Sequence, residues 1–464
     1  MNEQAALTDR KRTLIFVNII ITCIATTMLS TALTTALPAI SNELSVDVST
    51  AQWLTSGYTL VMGIMMPLTA FLMTRFPTKR LYITGLSVFI AGLLFAIFAP
   101  GFLVLMAGRI LQAAGTGILS SMGQVLILTI FPPERRGTAM GAYGLSISAA
   151  PVVAPTIAGI LIDTVGWRML FILILIIMLF SICTAAVVFE NVLPTKPVHF
   201  DLFSFVLNIL AFGGITLGVG NASSQGFGSV LAWIPLLIGI VAMILFVSKQ
   251  LHSDEPLLDF RTLKNKNFAM GVIGSMLLYL ILMGASVIIP LYVQNMKGYS
   301  ATISGLVMLP GSIVSAVLSL IAGRIYDKIG IKKLFITGAA CLLVSNLLTL
   351  SVSVDTSIWR VAAYNIIMTA GCGCLLTPLI TWGVSGLKQE LTSHATALLT
   401  SFRTVAGAIG SAVFVGLMEV LSERSTDLSE TAASIHGFSG VFGIMAIFSA
   451  IMLCIPVFFL RKQK

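Results

Sequence analysis

Residues Met106-Ala-Gly-Arg109-Ile-Leu-Gln112-Ala-Ala-Gly115-Thr-Gly117 open an apolar run that continues to Phe131 and carries an arginine. Because a helix crosses a bilayer with about 20 residues, this run predicts a membrane-spanning helix with Arg109 inside it. A charge at the centre of such a helix costs roughly 2.5 to 3.5 kcal/mol on insertion scales, so intramembrane ionisable residues are candidates for function. Arg109 and Gln112 therefore form either a functional site or a buried network that caps backbone carbonyls.

A second apolar segment follows the short charged turn Pro132-Pro-Glu-Arg-Arg-Gly137. It contains Ala150-Pro151-Val-Val-Ala154-Pro155-Thr-Ile-Ala158-Gly159, with two prolines four residues apart on one helix face. Each proline removes a backbone donor and crowds the carbonyl one turn earlier, so the pattern predicts a kinked helix. A kink at a moving part of the molecule and simple tolerated packing both fit this stretch.

The composition places the rest of the chain in the membrane as well. Of the 464 residues, 57% are hydrophobic and only 10% are charged, which excludes a soluble protein and indicates an all-α polytopic membrane protein. Segmentation at spanning length predicts fourteen transmembrane helices. The runs are 13–40, 51–72, 81–99, 103–131, 138–162, 167–188, 201–220, 229–248, 268–292, 301–325, 334–353, 359–387, 394–421 and 438–460.

The basic residues predict the orientation of these runs. With the N-terminus inside, 21 of the 27 Lys and Arg residues fall in cytoplasmic loops and tails, and four fall outside. By the positive-inside rule, both termini are expected in the cytoplasm. The net charge of +9 then faces the lipids of the inner leaflet, so no nucleic-acid partner is expected.

An internal repeat divides the chain into halves. Residues 75–85 read Arg-Phe-Pro-Thr-Lys-Arg-Leu-Tyr-Ile-Thr-Gly, and residues 328–338 read Lys-Ile-Gly-Ile-Lys-Lys-Leu-Phe-Ile-Thr-Gly, at an offset of 253. The repeat predicts two six-helix bundles with two inserted helices, a 6+2+6 arrangement. The predicted domains are residues 1–195, residues 196–266 with the inserted helices and a connector, and residues 267–464. A substrate cavity is expected between the halves.

The loop of the second half reads Gly323-Arg-Ile-Tyr-Asp327-Lys328-Ile-Gly330-Ile-Lys332-Lys333. It resembles the loop motif G-x-x-x-D-[RK]-x-G-x-[RK]-[RK] of the major facilitator superfamily. The first-half copy is degenerate, because Thr74 stands where the pattern has its Asp. Asp327 and the lysines predict a charge lock between helix ends, with solvated loop charge as the alternative.

Further stretches are similar to motifs of the same superfamily. Arg109-x-x-Gln112-x-x-Gly115 is similar to its fourth-span motif R-x-x-Q-G, and residues 154–159 resemble a fifth-span motif associated with exporters. The run Gln52-Trp-Leu-Thr-Ser-Gly-Tyr58 looks most like the lincomycin-resistance-type multidrug members. Over its whole length the chain resembles the fourteen-span drug/proton antiporter branch.

This resemblance implies a secondary active exporter of amphipathic drugs or related small organic molecules, driven by proton antiport with alternating access. It implies a monomer in a bacterial plasma membrane with no enzymatic activity and no cofactor, whose partners are substrate, protons and lipids. The candidates for substrate binding and coupling are Arg109, Gln112, Gln52, Tyr58, Gln124 and Arg403. The candidates for gating are Pro151, Pro155, Gly159, Asp327, Lys328, Gly330 and Lys332.

One departure from the family pattern leaves the substrate charge open. Family members often carry an Asp in the first span, where this chain has Leu29, and no acidic residue lies well inside a predicted span. An alternative is therefore an exporter or facilitator of an anionic metabolite or lipid-like molecule, with Arg109 as the counter-charge. Arg403 either joins such a site or extends toward the cytoplasmic interface. The four histidines, including His394, are not expected to relay protons.

A membrane enzyme and an ATP-driven pump are both disfavoured by the sequence. The chain has no phosphate-binding loop G-x-x-x-x-G-K-[ST]. It also shows no metal-ligand cluster, paired carboxylates or nucleophile-base pair within the predicted spans. A transporter that uses an ion gradient is therefore favoured over either class.

Overall fold

A computed structural model describes residues 8–225, 228–424 and 429–459, and these residues form helices and no strands. Three π-helical turns, Ile209–Gly213, Tyr292–Met296 and Ile455–Phe459, and three 3-10 turns, Pro133–Arg135, Phe260–Lys264 and Gln389–Leu391, complete them. The helices are α1 Asp9–Leu44, α2 Val48–Arg75, α3 Thr78–Ile97, α4 Phe102–Ile130, α5 Arg136–Val165, α6 Arg168–Val188, α7 Leu202–Asn208, α8 Gly214–Gln225, α9 Val230–His252, α10 Lys266–Leu291, α11 Ala301–Ile329, α12 Ile331–Leu350, α13 Ile358–Leu375, α14 Pro378–Ser385, α15 Thr392–Glu423 and α16 Glu430–Cys454.

The all-helical membrane fold predicted from the sequence is confirmed. Within the described residues, thirteen helical segments are long and apolar enough to cross a membrane. Each overlaps one of the predicted runs. The remaining run, 138–162, lies inside α5, which is 30 residues long but is not among the thirteen. The count of fourteen spans therefore stays a prediction.

The helices pack in two groups. In the first, α1 packs on α5 and α6, α3 packs on α4 and α6, and α2 packs on α4; we call α1–α6 the N-terminal bundle. In the second, α10 packs on α15, α11 on α13, and α12 on α13 and α16; we call α10–α16 the C-terminal bundle. The bundles meet where α5 packs on α11 and α2 packs on α15. The domain boundaries given above stay predictions.

The inserted helices pack beside the two bundles. Helix α8 contacts α9 and α15, and the turn Ile209–Gly213 contacts α2. Helix α9 exposes a row of large apolar side chains, among them Leu237, Val241 and Ile244. Such a face suits contact with lipid tails, because a helix apolar on its outer side is stable only away from water. The inserted helices therefore do not separate the bundles from each other.

Both copies of the sequence repeat connect equivalent helices, although the backbone differs, since Phe76 is extended and Gly330 has φ at +74°. The first lies between α2, which ends at Arg75, and α3, and the second lies between α11 and α12. The turn Pro132–Arg136 before α5 lies at the same end of the molecule, since Gly137 contacts Gly323 and Asp327 of α11. We call this end, with its basic loops, the basic end.

Candidate functional site

Arg109 is fully buried inside the N-terminal bundle and links three helices. Its Nε donates to the backbone oxygen of Leu54 on α2 at 3.0 Å, and its Nη1 donates to Gln112 Oε1 at 2.6 Å. The Gln112 amide in turn donates to the Gly92 oxygen on α3 at 2.9 Å. The guanidinium carbon lies 4.0 Å from the centroid of the Tyr58 ring. Three predicted site residues, Arg109, Gln112 and Tyr58, therefore meet in one buried network.

This network offsets most of the cost of a charge in the membrane, but not all of it. A cation over a desolvated aromatic ring gains about 2 kcal/mol or more, and the Tyr58 hydroxyl is itself held by Thr116 Oγ1 at 2.9 Å. Nη2 of Arg109 is buried and has no hydrogen-bond partner among the described residues. The arrangement matches the carbonyl-capping alternative, and the role of Arg109 in substrate binding and coupling stays a prediction.

The two glutamines named with this group lie elsewhere. Gln52 is exposed in the first turns of α2 and does not join the Arg109 network. Gln124 is buried in α4 near the Tyr143 hydroxyl of α5, and its Oε1 lacks a hydrogen-bond partner within the part of the chain that the structure describes. Gln124 thus belongs to the region where the N-terminal bundle approaches the C-terminal one.

Arg403 of α15 lies in that same region, and the prediction that it extends toward the interface is wrong. Its side chain is only 6% exposed, and its guanidinium carbon lies 4.8 Å from the centroid of the Tyr279 ring on α10. It is close enough to Tyr143 to interact with it electrostatically across the bundle boundary. The aromatic ring holds the cation inside the protein, so the side chain does not need to reach water.

Asp327 closes the boundary between α5 and α11 at the basic end. Its carboxylate accepts hydrogen bonds from the backbone N–H groups of Gly137 and Thr138, both at 2.7 Å, and from Thr138 Oγ1 at 2.6 Å. The first N–H groups of a helix have no partner within it, and they carry partial positive charge. A carboxylate from the other bundle satisfies both needs. We call this contact of Asp327, Gly137 and Thr138 the carboxylate junction.

Glycines allow this close approach. A Cβ atom on Gly323 would overlap the Gly137 carbonyl oxygen, and a Cβ on Gly141 would come within 2.7 Å of the Ser319 oxygen. Beyond Asp327, Gly330 ends α11 with φ at +74°, a conformation that side chains other than glycine rarely adopt. The loop motif therefore supplies a carboxylate, a close crossing and a sharp turn in one short segment.

The equivalent contact in the other half has different chemistry. Thr74 stands at the position of Asp327, and its Oγ1 lies 3.4 Å from Nε2 of His394 in the first turn of α15. His394 in turn matches Thr138 at an offset of 256 residues, with Glu390 matching Glu134. We call this contact of Thr74 and His394 the histidine junction. We call the two junctions together the basic-end gate, and the gating role of Asp327 inferred from the sequence stays a prediction.

The other gating candidates lie outside these contacts. Pro151, Pro155 and Gly159 lie in the part of α5 away from the basic end, and the kink stays a prediction. Lys328 is exposed and Lys332 is half-buried in the turn that follows Asp327. The structure therefore brings Asp327, Gly330 and the lysines into one segment and leaves the prolines separate from it.

The fold and the gate define a class of protein: a polytopic membrane transporter with two bundles that touch at one end. The chain belongs to the major facilitator superfamily, because the family model described as Major Facilitator Superfamily matches residues 16–411. It is 35% identical over 428 residues to the uncharacterized MFS-type transporter YcnB of Bacillus subtilis (strain 168), covering 92% of this chain and 90% of that one.

The comparisons also include a resistance protein and a solved structure. The chain is 33% identical over 439 residues to the lincomycin resistance protein LmrB of Listeria monocytogenes, covering 92% of each. Its fold is similar to that of the human organic anion transporter MFSD10 (TETRAN), with a TM-score of 0.65 and 13% identity over 95% of this chain and 99% of that one. The family membership supports a transporter and not an enzyme.

Sequence reasoning missed His394. It begins the predicted run 394–421 beside a cytoplasmic segment and was given no role, whereas the structure buries its side chain against Thr74. The available signal was the equivalence with Thr138, which becomes visible only when the charged turns before α5 and α15 are aligned.

Proposed function

We propose that this protein is a secondary active exporter of amphipathic drugs or related small organic molecules, coupled to the proton gradient as an antiporter. The observation that carries the proposal is the basic-end gate, where two bundles are joined by contacts between helix ends. Such contacts break and reform when one bundle rocks against the other. The similarity to a lincomycin resistance protein supports a drug-like substrate.

The orientation follows from the basic loops of the gate. Arg75, Lys79 and Arg80 flank one junction, and Lys332 and Lys333 follow the other. Under the positive-inside rule this end faces the cytoplasm, in a bacterial plasma membrane with both termini inside. The described conformation is then one in which the cytoplasmic side of the transport path is closed.

A second candidate function is supported by the two buried arginines. Nη2 of Arg109 and Nε of Arg403 have no hydrogen-bond partner, and neither residue forms an ion pair within the described part of the chain. An anionic group on a substrate would satisfy such a nitrogen and offset the cost of the buried charge. The alternative is therefore export or facilitated passage of an anionic metabolite or lipid-like molecule, with Arg109 as counter-charge.

The experiment that tests both candidates is substrate-dependent proton movement in proteoliposomes. The panel holds cationic, neutral and anionic compounds of matched size. We expect neutral or weakly acidic amphipaths to drive proton movement and permanently cationic dyes to be poor substrates, since two unpaired arginines repel them. Proton movement with none of these compounds would contradict the proposal of an antiporter.

Arg109→Ala is expected to abolish transport, because it removes the cation that joins α2, α3 and α4. Arg360→Ala, at an exposed arginine of α13, is the matched control and should transport normally. Membrane insertion of both variants is checked by their yield in detergent extracts. Robust export of a quaternary ammonium dye by the Arg109→Ala variant would contradict the assigned role of this charge.

A further inference from the structure

The histidine junction holds a ring nitrogen that makes no hydrogen bond with the part of the chain that the structure describes. His394 is 9% exposed, and its Nε2 faces Thr74 Oγ1 at 3.4 Å. Its Nδ1 is buried and makes no hydrogen bond with any described residue. A buried polar atom without a partner costs about 1 to 3 kcal/mol, so a residue that only packed the junction would be better replaced by an apolar one.

The hydrogen bonds around Thr74 assign the tautomer of the ring. The Thr74 hydroxyl donates its single hydrogen to the Ala70 carbonyl at 3.0 Å. It therefore accepts from His394, so Nε2 carries the hydrogen and Nδ1 presents a bare lone pair. A second proton on the ring has to bind at Nδ1, where the closed junction offers it no acceptor.

Two features of the closed junction also oppose a positive charge on the ring. His394 lies in the first turn of α15, where the helix dipole disfavours cations. The polar partner on α2 is an uncharged hydroxyl, in contrast to the carboxylate at the other junction. The closed junction is therefore built around a neutral imidazole.

Acidic side chains line a cavity beside the histidine junction. The cavity, of about 240 Å³, borders His394, and its charged lining groups come from three segments, while α2 contributes only uncharged residues. The charged groups are Asp254, Glu255 and Asp259 of the connector before α10, Glu390 of the turn before α15, and Lys196 of the linker after α6. Lys196 is paired with Glu390 at 2.9 Å, and Arg75 at the end of α2 donates to the Val198 carbonyl.

The cavity offers what the closed junction lacks. Glu390 pairs with Lys196, and Glu255 contacts His199 Nδ1 at 3.6 Å, which leaves Asp254 and Asp259 in the lining with no ion pair among the described residues. Asp259 also interacts electrostatically with the His394 ring. A ring that leaves Thr74 when the junction opens can donate from both nitrogens to water and to these carboxylates. The protonated ring thus suits the open gate, and the neutral ring suits the closed one.

We propose that His394 is a proton-binding residue of the basic-end gate, and that proton binding there opens the junction between α2 and α15. This inference rests on the proposed function in one respect, because the gate must open during the transport cycle. It adds a proton-binding residue that the proposed function does not name. Histidine titrates near pH 6.5 in its ordinary state, so a ring freed from the closed junction changes its protonation between pH 8 and pH 5.5. Because the closed gate binds fewer protons, its population falls as the pH falls.

The test measures the distance between the basic ends of the two bundles at different pH. Spin labels are attached through a keto amino acid at positions 80 and 333, which are exposed equivalents in the two repeats, so all six cysteines stay in place. The full chain is studied in lipid nanodiscs by pulsed electron resonance, without substrate and without a gradient. One proton changes the ratio of closed to open molecules by at most about tenfold per pH unit.

Between pH 8 and pH 5.5 we expect the ratio of closed to open molecules to fall at least about threefold in the wild type. His394→Asn, which keeps a polar side chain, should remove this pH response, and the His252→Gln control, at an exposed histidine at the end of α9, should retain it. Thr74→Asp should reverse the sign, because the introduced carboxylate pairs with a protonated ring and closes the gate at low pH.

A wild-type pH response that persists in His394→Asn, or a wild type with no response, overturns the inference. If His394→Asn changes the ratio of closed to open molecules at every pH, Thr74→Asp remains as the test: a reversed pH response supports the inference, and an unchanged response overturns it. A normal response in a protein that exports no compound contradicts the proposed function and leaves the proton site standing. Intact export without any response contradicts the proton site alone.

Discussion

The two junctions of the basic-end gate occupy equivalent places in the repeat, yet they hold the bundles with different forces. At the carboxylate junction, Asp327 accepts three short hydrogen bonds at the start of α5. At the histidine junction, Thr74 and His394 share one neutral contact at 3.4 Å. Hydrogen bonds to charged groups contribute roughly 1.5 to 3 kcal/mol, about twice as much as neutral ones. The same fold therefore carries one strong and one weak closure.

Backbone packing follows the same division. Gly323 lies so close to Gly137 that a side chain on it would overlap the partner helix. The equivalent positions at the histidine junction are Ala70 and Ser393, which both carry side chains and are both buried. Small residues let helix backbones approach, so α5 and α11 cross more closely than the other pair is able to. The two junctions thus occupy equivalent places in the fold, while the looser packing at the histidine junction makes that contact easier to open.

The largest effect is expected from filling the close crossing of the carboxylate junction. Gly323→Leu places a side chain where the Gly137 carbonyl lies, so the closed gate cannot form and transport should fall more than tenfold. Gly305→Leu is the matched control on the same helix, because a Cβ there meets no atom within 4 Å. Uptake into inverted vesicles at equal expression is the measurement. Normal transport by Gly323→Leu would show that the close crossing is dispensable.

A smaller effect is expected from removing the charge at the same junction. Asp327→Asn keeps the shape but weakens the bonds to α5, and a loss of about 1 to 2 kcal/mol lowers the ratio of closed to open molecules roughly 5- to 30-fold. Transport should weaken while membrane insertion stays normal. Asp355→Asn, at an exposed acid, serves as the control. Insertion lost together with transport would assign Asp327 to folding instead.

The smallest effect is expected at Thr74. Thr74→Ala removes one long, neutral hydrogen bond, and water from the cavity that borders both residues can replace the hydroxyl beside His394 Nε2, so the cost is about 0.5 kcal/mol or roughly a factor of two. Transport in the same vesicle assay should therefore stay within about twofold of the wild type. Losses equal to those of Asp327→Asn, at matched expression, would remove the distinction between the two junctions.

Much of this architecture is predictable from the sequence because it rests on local patterns. Hydrophobic runs of spanning length predict the helices, and the repeat at residues 75–85 and 328–338 predicts the equivalent turns. The loop motif pointed to Asp327 as a lock. Its partners were not predictable, because backbone N–H groups at the start of α5 carry no sequence signal of their own.

The parts that the sequence did not predict depend on distant contacts. Arg403 has the length to reach an interface, and only the position of Tyr279 on α10 shows that its cation is held inside. His394 is polar and near a helix end, which usually means exposure, and its burial comes from α2 and the two connecting segments. Tertiary packing overrides the local expectation at both residues.

The most direct test of the account compares the two junctions in one measurement. Distance distributions between labels at positions 80 and 333 are recorded at pH 7.5 for the wild type, Asp327→Asn and Thr74→Ala in lipid nanodiscs. We expect the ratio of open to closed molecules to rise roughly 5- to 30-fold in Asp327→Asn and less than about twofold in Thr74→Ala. Equal shifts in the two variants, or no shift in Asp327→Asn, would contradict the claim that the carboxylate junction holds the gate.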